Sequence, residues 1–246
     1  FHKLGSPKWF YEISGKLLPW VAAFSLLALV IGIVWGLVFA PEDYQQGNSF
    51  CIIYIHVPAA ILAQSCYMML AVAGVVGLVW RMKLADVALQ CAAPIGAWMT
   101  LVALFTGSIW GKPTWGTYWE WDARLTSMLI LLFLYFGIIA LRMAISNRDT
   151  AAKATAVMAI VGVINIPIIK FSVEWWNTLH QPSSVVKLGG PAIHPSMLAP
   201  LLLMGLAFTT YYLWVLLVRI RGEITQGKVR ALLMRRAQAT ASEAAE

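Results

Sequence analysis

Residues 17–41 read LLPWVAAFSLLALVIGIVWGLVFAP, a run of 25 positions without one charge. An α-helix needs about 20 apolar residues to cross ~30 Å of hydrocarbon, so this run is long enough to span a membrane. The same test works along the rest of the chain. The uncharged stretch between Asp43 and Arg81 has 37 residues, and that between Asp86 and Lys112 has 25. Those after Arg124, Lys153 and Lys187 have 17, 16 and 31. The reading is all-α, with six transmembrane helices near 17–39, 52–80, 88–109, 124–142, 154–171 and 197–218. The fifth carries Asn165 and Pro167, so its outer end is expected to kink or unwind. The first run is too long for a signal-peptide core and no small-residue cleavage site follows it; it reads as a permanent helix.

Composition agrees. Of 246 residues, 60% are hydrophobic and only 12% charged, against about 25% charged in a soluble domain. A soluble globular enzyme and a disordered chain are both excluded. Cys51, Cys66 and Cys91 form no CxxC pair, so they read as small apolar helix residues rather than a disulfide framework or zinc site.

Lysine and arginine set the orientation. Fourteen fall on one side, in the segments around Lys3 to Lys16, Arg81–Lys83, Arg142–Lys153 and Arg219–Arg236, whereas Lys112, Arg124, Lys170 and Lys187 fall on the other. Both termini are therefore expected in the cytoplasm, with residues 1–16 as a cytoplasmic start, 17–218 as the membrane domain and 219–246 as a basic cytoplasmic tail. Val229, Leu232 and Leu233 in that tail have helical spacing; an amphipathic helix and a simple topology signal are both open readings. The net charge of +7 mostly reflects this asymmetry, and no nucleic-acid partner is expected.

The outer segments 40–51, 110–123 and 172–196 hold the unusual chemistry. Residues 110–127 read WGKPTWGTYWEWDARLTS, with Trp110, Trp115, Tyr118, Trp119 and Trp121 inside twelve positions. Gly111, Pro113 and Gly116 argue against a regular helix through the first half. An interfacial aromatic belt is one reading. The density of rings beside Lys112, Glu120, Asp122 and Arg124 favours the other, a platform for a flat apolar ligand with anionic edges. Asp122 has the position of an N-cap for the fourth helix, which does not exclude a second role. Arg124 either pairs with Asp122 or Glu120 or grips a carboxylate with its guanidinium fork.

His56, in Tyr54-Ile-His-Val-Pro, lies just inside the outer end of the second helix, where an ionisable residue is a functional candidate. His180, in VEWWNTLHQ (173–181), shares that face. A structural histidine bonded to a backbone carbonyl is the plain alternative for His56, and a surface histidine for His180. As a pair they suit axial ligation of haem iron from opposite sides. His194 sits between Pro191 and Pro195 and reads as a turn into the last helix; His2 has no evident partner. There is no phosphate-cradling Gly loop, no Ser/His/Asp or Cys/His array and no set of intramembrane carboxylates, so neither an ATPase, a hydrolase nor a proton-coupled pump is indicated.

The stretch from Trp115 to Ser127, flanked by 55–60 and 173–181, resembles the tryptophan-rich WWD domain, and over about residues 17–218 the layout resembles the haem exporter protein C (CcmC) family of cytochrome c maturation. Tyr118 stands where tryptophan is common. The resemblance implies a membrane protein of the bacterial inner membrane that is not an enzyme. It implies haem b (iron protoporphyrin IX) as transported ligand on the periplasmic face. His56 and His180 would be its axial ligands. Trp115, Trp119 and Trp121 would form the platform. From the charges themselves, Asp122 is placed beside it, with Lys112, Arg124 or both expected at the propionates. The implied partners are a periplasmic haem chaperone (CcmE), an ABC transporter pair (CcmA and CcmB), a single-span protein (CcmD) and membrane lipid. A b-type cytochrome subunit of a membrane oxidoreductase is the alternative, and a permease or structural subunit without haem is a third reading.

Overall fold

The computed structural model describes residues 5–176, 178–180 and 193–243; Lys187, His2 and the last residues of the tail lie outside them. Helices α1 (Pro7–Val34), α2 (Ile53–Trp80), α3 (Lys83–Trp115), α4 (Ala123–Ala144), α5 (Arg148–Gly162), α6 (Asn165–Trp175) and α7 (Pro195–Glu243) carry the chain. A π-helical turn, Trp35–Phe39, extends α1, and a 3-10 turn, Asn48–Ile52, leads into α2. With α5 and α6 in one span, six helices among the described residues are long and apolar enough to cross a membrane. This is an all-α, multi-pass membrane protein.

The side chains are sorted as a bilayer requires. On α1, Trp20, Phe24, Leu27, Ile31 and Val34 lie at helical spacing and all are exposed. In water that stripe would seek a core; in lipid it needs none. The opposite face of α1 buries Ser14, Ser25, Ala28 and Gly32. Small residues let helix backbones approach closely in a membrane, and α7 lies against this face: Met204 fills the space beside Gly32, and Arg221 that beside Gly15.

The centre is α2 against α3, with α4 and α5 packed on them. Ala59, Ala63, Ala92, Ala93, Ala97 and Ala103 line this core, again keeping backbones close. Tyr135 from α4 enters it fully buried and donates its hydroxyl to the Ala63 carbonyl at 2.7 Å. Its ring meets Tyr67 edge-to-face at 5.1 Å and occupies the space that Gly96 leaves open. The same device recurs at Gly162, under the Tyr67 hydroxyl.

Two helix ends differ from the sequence expectation. The fifth span does break, at Val163 and Ile164, but helix resumes at Asn165. Pro167 has no N–H to donate to the Val163 carbonyl, and the Asn165 amide reaches across to donate to the Ser127 carbonyl at 2.9 Å, tying α6 to α4. The third helix runs further than expected, through Pro113 to Trp115. A proline near a helix's last turn costs one hydrogen bond, and Gly116, at φ +80°, supplies the left-handed stop. Its N–H donates to the Lys112 carbonyl at 3.0 Å, and Lys112 Nζ donates to the Gly116 carbonyl at 2.9 Å. At 1.5 Å per residue α3 is about 50 Å long, more than the hydrocarbon needs. Its last turns and the α3–α4 loop therefore share one end of the bundle with the starts of α2 and α7.

The other end is tied by ions. Arg142 donates both guanidinium arms to the Asp86 carboxylate at 2.8 Å and also to Gln90 at 2.8 Å. Arg219 donates to the Cys91 carbonyl at 3.0 Å, and Arg221 reaches the Tyr11 carbonyl and Ser14. The basic tail continues α7 as helix, with Glu223 accepting from Arg230 at 3.0 Å.

Replacing Gly96 with Ala would place a Cβ 2.2 Å from the Tyr135 ring. We expect the variant to lose about 1–3 kcal/mol, seen as a lower unfolding temperature in detergent; an unchanged temperature would mean that Tyr135 does not pack there.

Candidate functional site

The last turns of α3 are the spine of the site. Trp110 meets His56 edge-on, ring centres 5.7 Å apart, and Trp115 meets His180 at 4.6 Å. Those tryptophans are five residues apart, roughly 7.5 Å along a helix. His180 and Arg124 both lie within electrostatic reach of His56. The two histidines, 124 positions apart in the chain, thus stand at one end of the bundle against one helix.

His56 has room because position 107 is glycine: a Cβ there would sit 2.8 Å from its Cε1. The ring's Nδ1 is 3.0 Å from the Ala103 carbonyl and 3.1 Å from Thr106 Oγ1. A carbonyl only accepts, so Nδ1 is the protonated nitrogen. The Thr106 hydroxyl donates to the Val102 carbonyl at 2.7 Å, leaving its oxygen to accept as well.

His180 is arranged alike with a different acceptor. Its Nδ1 lies 2.9 Å from Asp122 Oδ2. The other oxygen, Oδ1, accepts from the Leu125 N–H at 2.7 Å and caps α4. Asp122 is buried, so one carboxylate serves a helix end and a ring. Burial holds the His180 imidazole below its usual pKa; Asp122 opposes that shift and the Arg124 charge reinforces it. The net direction favours neutral imidazole at pH 7, with its proton on Nδ1 facing the carboxylate. Among the described residues neither Nε2 has a hydrogen-bond partner.

The α3–α4 loop is folded back on α3. Gly111 is buried against Trp115 and the Thr117 carbonyl, and Thr117 Oγ1 holds residue 119 by donating to its carbonyl at 2.9 Å. Trp119 and Trp121 meet edge-to-face at 5.3 Å. Trp121 is 72% exposed, whereas the Trp119 Nε1 is buried without an acceptor among the described residues. Trp110 donates to Gln46 at 2.8 Å, joining the α1–α2 loop to the site.

Arg124 is half-buried at the start of α4. Its Nε donates to Ser172 Oγ at 3.2 Å rather than to Asp122 or Glu120. Lys112 is engaged at the helix end and lies 5.3 Å from the Tyr118 ring centre. His194 stands apart: its Nδ1 accepts from the Ser196 N–H at 3.3 Å and bonds the Ser196 hydroxyl at 2.7 Å, capping α7. Gly107, Thr106 and Trp110 are contributors that the sequence reading did not single out around His56. Only a small residue one turn from a tryptophan could have pointed to them. Gln181 and the rest of the third outer segment up to residue 192 lie outside the described residues.

Fold and site together define a polytopic membrane protein with a histidine pair set among tryptophans at one end of its bundle. The chain belongs to the Heme exporter protein C (CcmC) family, whose profile matches residues 1–235. It is 54% identical over 223 residues to the Heme exporter protein C of Haemophilus influenzae, covering 91% of each chain. It is 50% identical over 234 residues to that of Bradyrhizobium diazoefficiens, covering 95% of this chain and 89% of the relative. The Escherichia coli K12 protein of the same name is 54% identical over 200 residues, 81% of this chain and 80% of its own.

Gly107→Ala is expected to displace the His56 ring and to destabilise the protein by about 1–3 kcal/mol. In a His56→Ala background the same change should cost measurably less. Equal costs in both backgrounds, read from unfolding in detergent, would show that the ring does not occupy that space.

Proposed function

We propose that this chain binds haem b at the periplasmic face of the bacterial inner membrane and hands it to a periplasmic haem chaperone during c-type cytochrome biogenesis. His56 and His180 ligate the iron. The observation that carries this reading is the shared state of the two imidazoles. Each has its Nδ1–H committed to an oxygen acceptor, and a ligating histidine characteristically donates its other ring N–H in this way.

The surroundings suit the cargo. Trp115, Trp119 and Trp121 supply apolar ring faces, and Trp119 adds an indole N–H without an acceptor among the described residues. Arg124 puts a cation within reach of the histidine pair and is the first candidate for a haem carboxylate; Lys112 is the second. Two imidazoles fill both axial positions and keep dioxygen off the iron while the cargo waits. Transfer then consists of ligand exchange, in which His56 or His180 leaves as the chaperone's ligand arrives. The protein is a transport component with no hydrolytic or ATPase role of its own.

The orientation that goes with this reading puts residues 1–16 and the tail 219–246 in the cytoplasm and the 110–127 platform outside. The partners are those of the family: the chaperone CcmE, the ABC transporter subunits CcmA and CcmB, which use ATP, and the single-span CcmD, all within membrane lipid.

The test is the absorption spectrum of protein purified from haem-sufficient cells. A low-spin bis-imidazole spectrum that is lost in both His56→Ala and His180→Ala is expected. Single variants that keep haem with unaltered bands would remove the ligand assignment, and wild-type protein without a Soret band would remove the haem reading. A spectrum that instead cycles reversibly with a quinone donor would point to the b-type cytochrome alternative. Trp119→Ala and Trp121→Ala should insert normally but load the chaperone several-fold less. Normal loading would reduce those rings to an interfacial belt.

A further inference from the structure

Asp122 bonds both the framework and one of the two histidines, each through a separate oxygen. Oδ1 accepts the Leu125 N–H at 2.7 Å and ends the unpaired first turn of α4; Oδ2 lies 2.9 Å from His180 Nδ1. The two partners, Leu125 and His180, lie on different elements, and each is held by a different oxygen of one buried carboxylate. His180 belongs to no helix among the described residues, and its N–H donates to Thr178 Oγ1 at 3.0 Å. Among the described residues the ring meets Asp122 on one edge and Trp115 on its side.

We propose that Asp122 is the positioning residue for His180: it holds the ring as the Nδ1–H tautomer with Nε2 presented, and it locks that ring to the first turn of α4. This rests on the reading of His180 as an iron ligand. A carboxylate accepts only, so the ring nitrogen facing it must carry the proton. The opposite nitrogen then keeps its lone pair, the form a metal needs. A carboxylate behind an imidazole also raises its basicity toward the metal. Because the same carboxylate caps α4, any movement of that helix end moves the ligand with it. Asp122 does not itself touch the iron.

Replacement by asparagine separates the two roles. Asn caps helices as well as Asp does, so its side-chain oxygen can keep the Leu125 bond. Its other terminus is then an NH2, which only donates. His180 Nδ1 would have to become an acceptor, putting the proton on Nε2 and removing the lone pair that faces the site. Asp122→Ser keeps a cap but cannot reach the ring, and Asp122→Ala removes both contacts.

The experiment has two readouts. In haem-free protein labelled with 15N histidine, the ring nitrogen shifts report the tautomer directly. Wild type should show His180 as Nδ1–H, and Asp122→Asn should move it toward Nε2–H. In haem-loaded protein, Asp122→Asn and Asp122→Ser should retain haem about 10- to 100-fold less well and lose the low-spin bands. Their unfolding temperature should stay close to wild type, while Asp122→Ala falls in both. An Asn variant with the wild-type tautomer and undiminished haem retention would overturn the proposal. Wild-type protein that takes up no haem, while the His180 tautomer still follows residue 122, would sink the haem reading and uphold the positioning.

Discussion

Hydrocarbon offers no partner to a backbone N–H or C=O, so each unpaired group there costs several kcal/mol. That constraint shapes the whole molecule. It makes every crossing helical, and it turns large apolar side chains outward on α1 while alanine, glycine and serine face the neighbouring helix. With no hydrophobic drive between helices, the core depends on close backbone approach. It also depends on a few well-placed polar contacts, of which Tyr135 to the Ala63 carbonyl and Asn165 to the Ser127 carbonyl are the clearest.

Irregular backbone is most easily satisfied beyond the hydrocarbon, and the site is built at one end of the bundle. α3 is carried beyond the length a span requires, Gly116 stops it, and the chain turns back across Gly111 before Asp122 starts α4. Trp110 and Trp115 thereby face histidines contributed by α2 and by the segment after α6. The helix ends do double work. The loop that closes α3 supplies tryptophans, and the residue that caps α4 holds an imidazole. A protein that must accept and release a large flat cargo gains from this arrangement. His56 is held within α2 against α3, whereas His180 lies outside the helices and, among the described residues, meets the bundle through Asp122 and Trp115.

The six spans were legible because charge is excluded from hydrocarbon, and gaps between charges need no knowledge of packing. The finer boundaries were not. Pro113 and Gly111 looked like helix breakers, yet the α3 helix tolerates them because a proline in a final turn removes one bond and Gly116 closes the end. The break in the fifth span was visible in Asn165 and Pro167, but not the resumption of helix as α6, which depends on the contact to Ser127. Asp122 as a cap could be read from its place before an apolar run. Its contact with His180 could not, since no periodicity connects residues 58 positions apart. Nor could the space at Gly107, which acquires meaning only once His56 is seen against it.

On the ligation proposed above, His56 and His180 present their Nε2 atoms to one iron. The most direct measurement is electron–nuclear double resonance on the ferric haem-loaded protein carrying 15N-labelled histidine. Two distinct axial histidine nitrogens on a low-spin centre, with one disappearing when either His56 or His180 is replaced, is the predicted result. A high-spin centre with a single histidine nitrogen, or one whose nitrogen couplings persist in both variants, would contradict it.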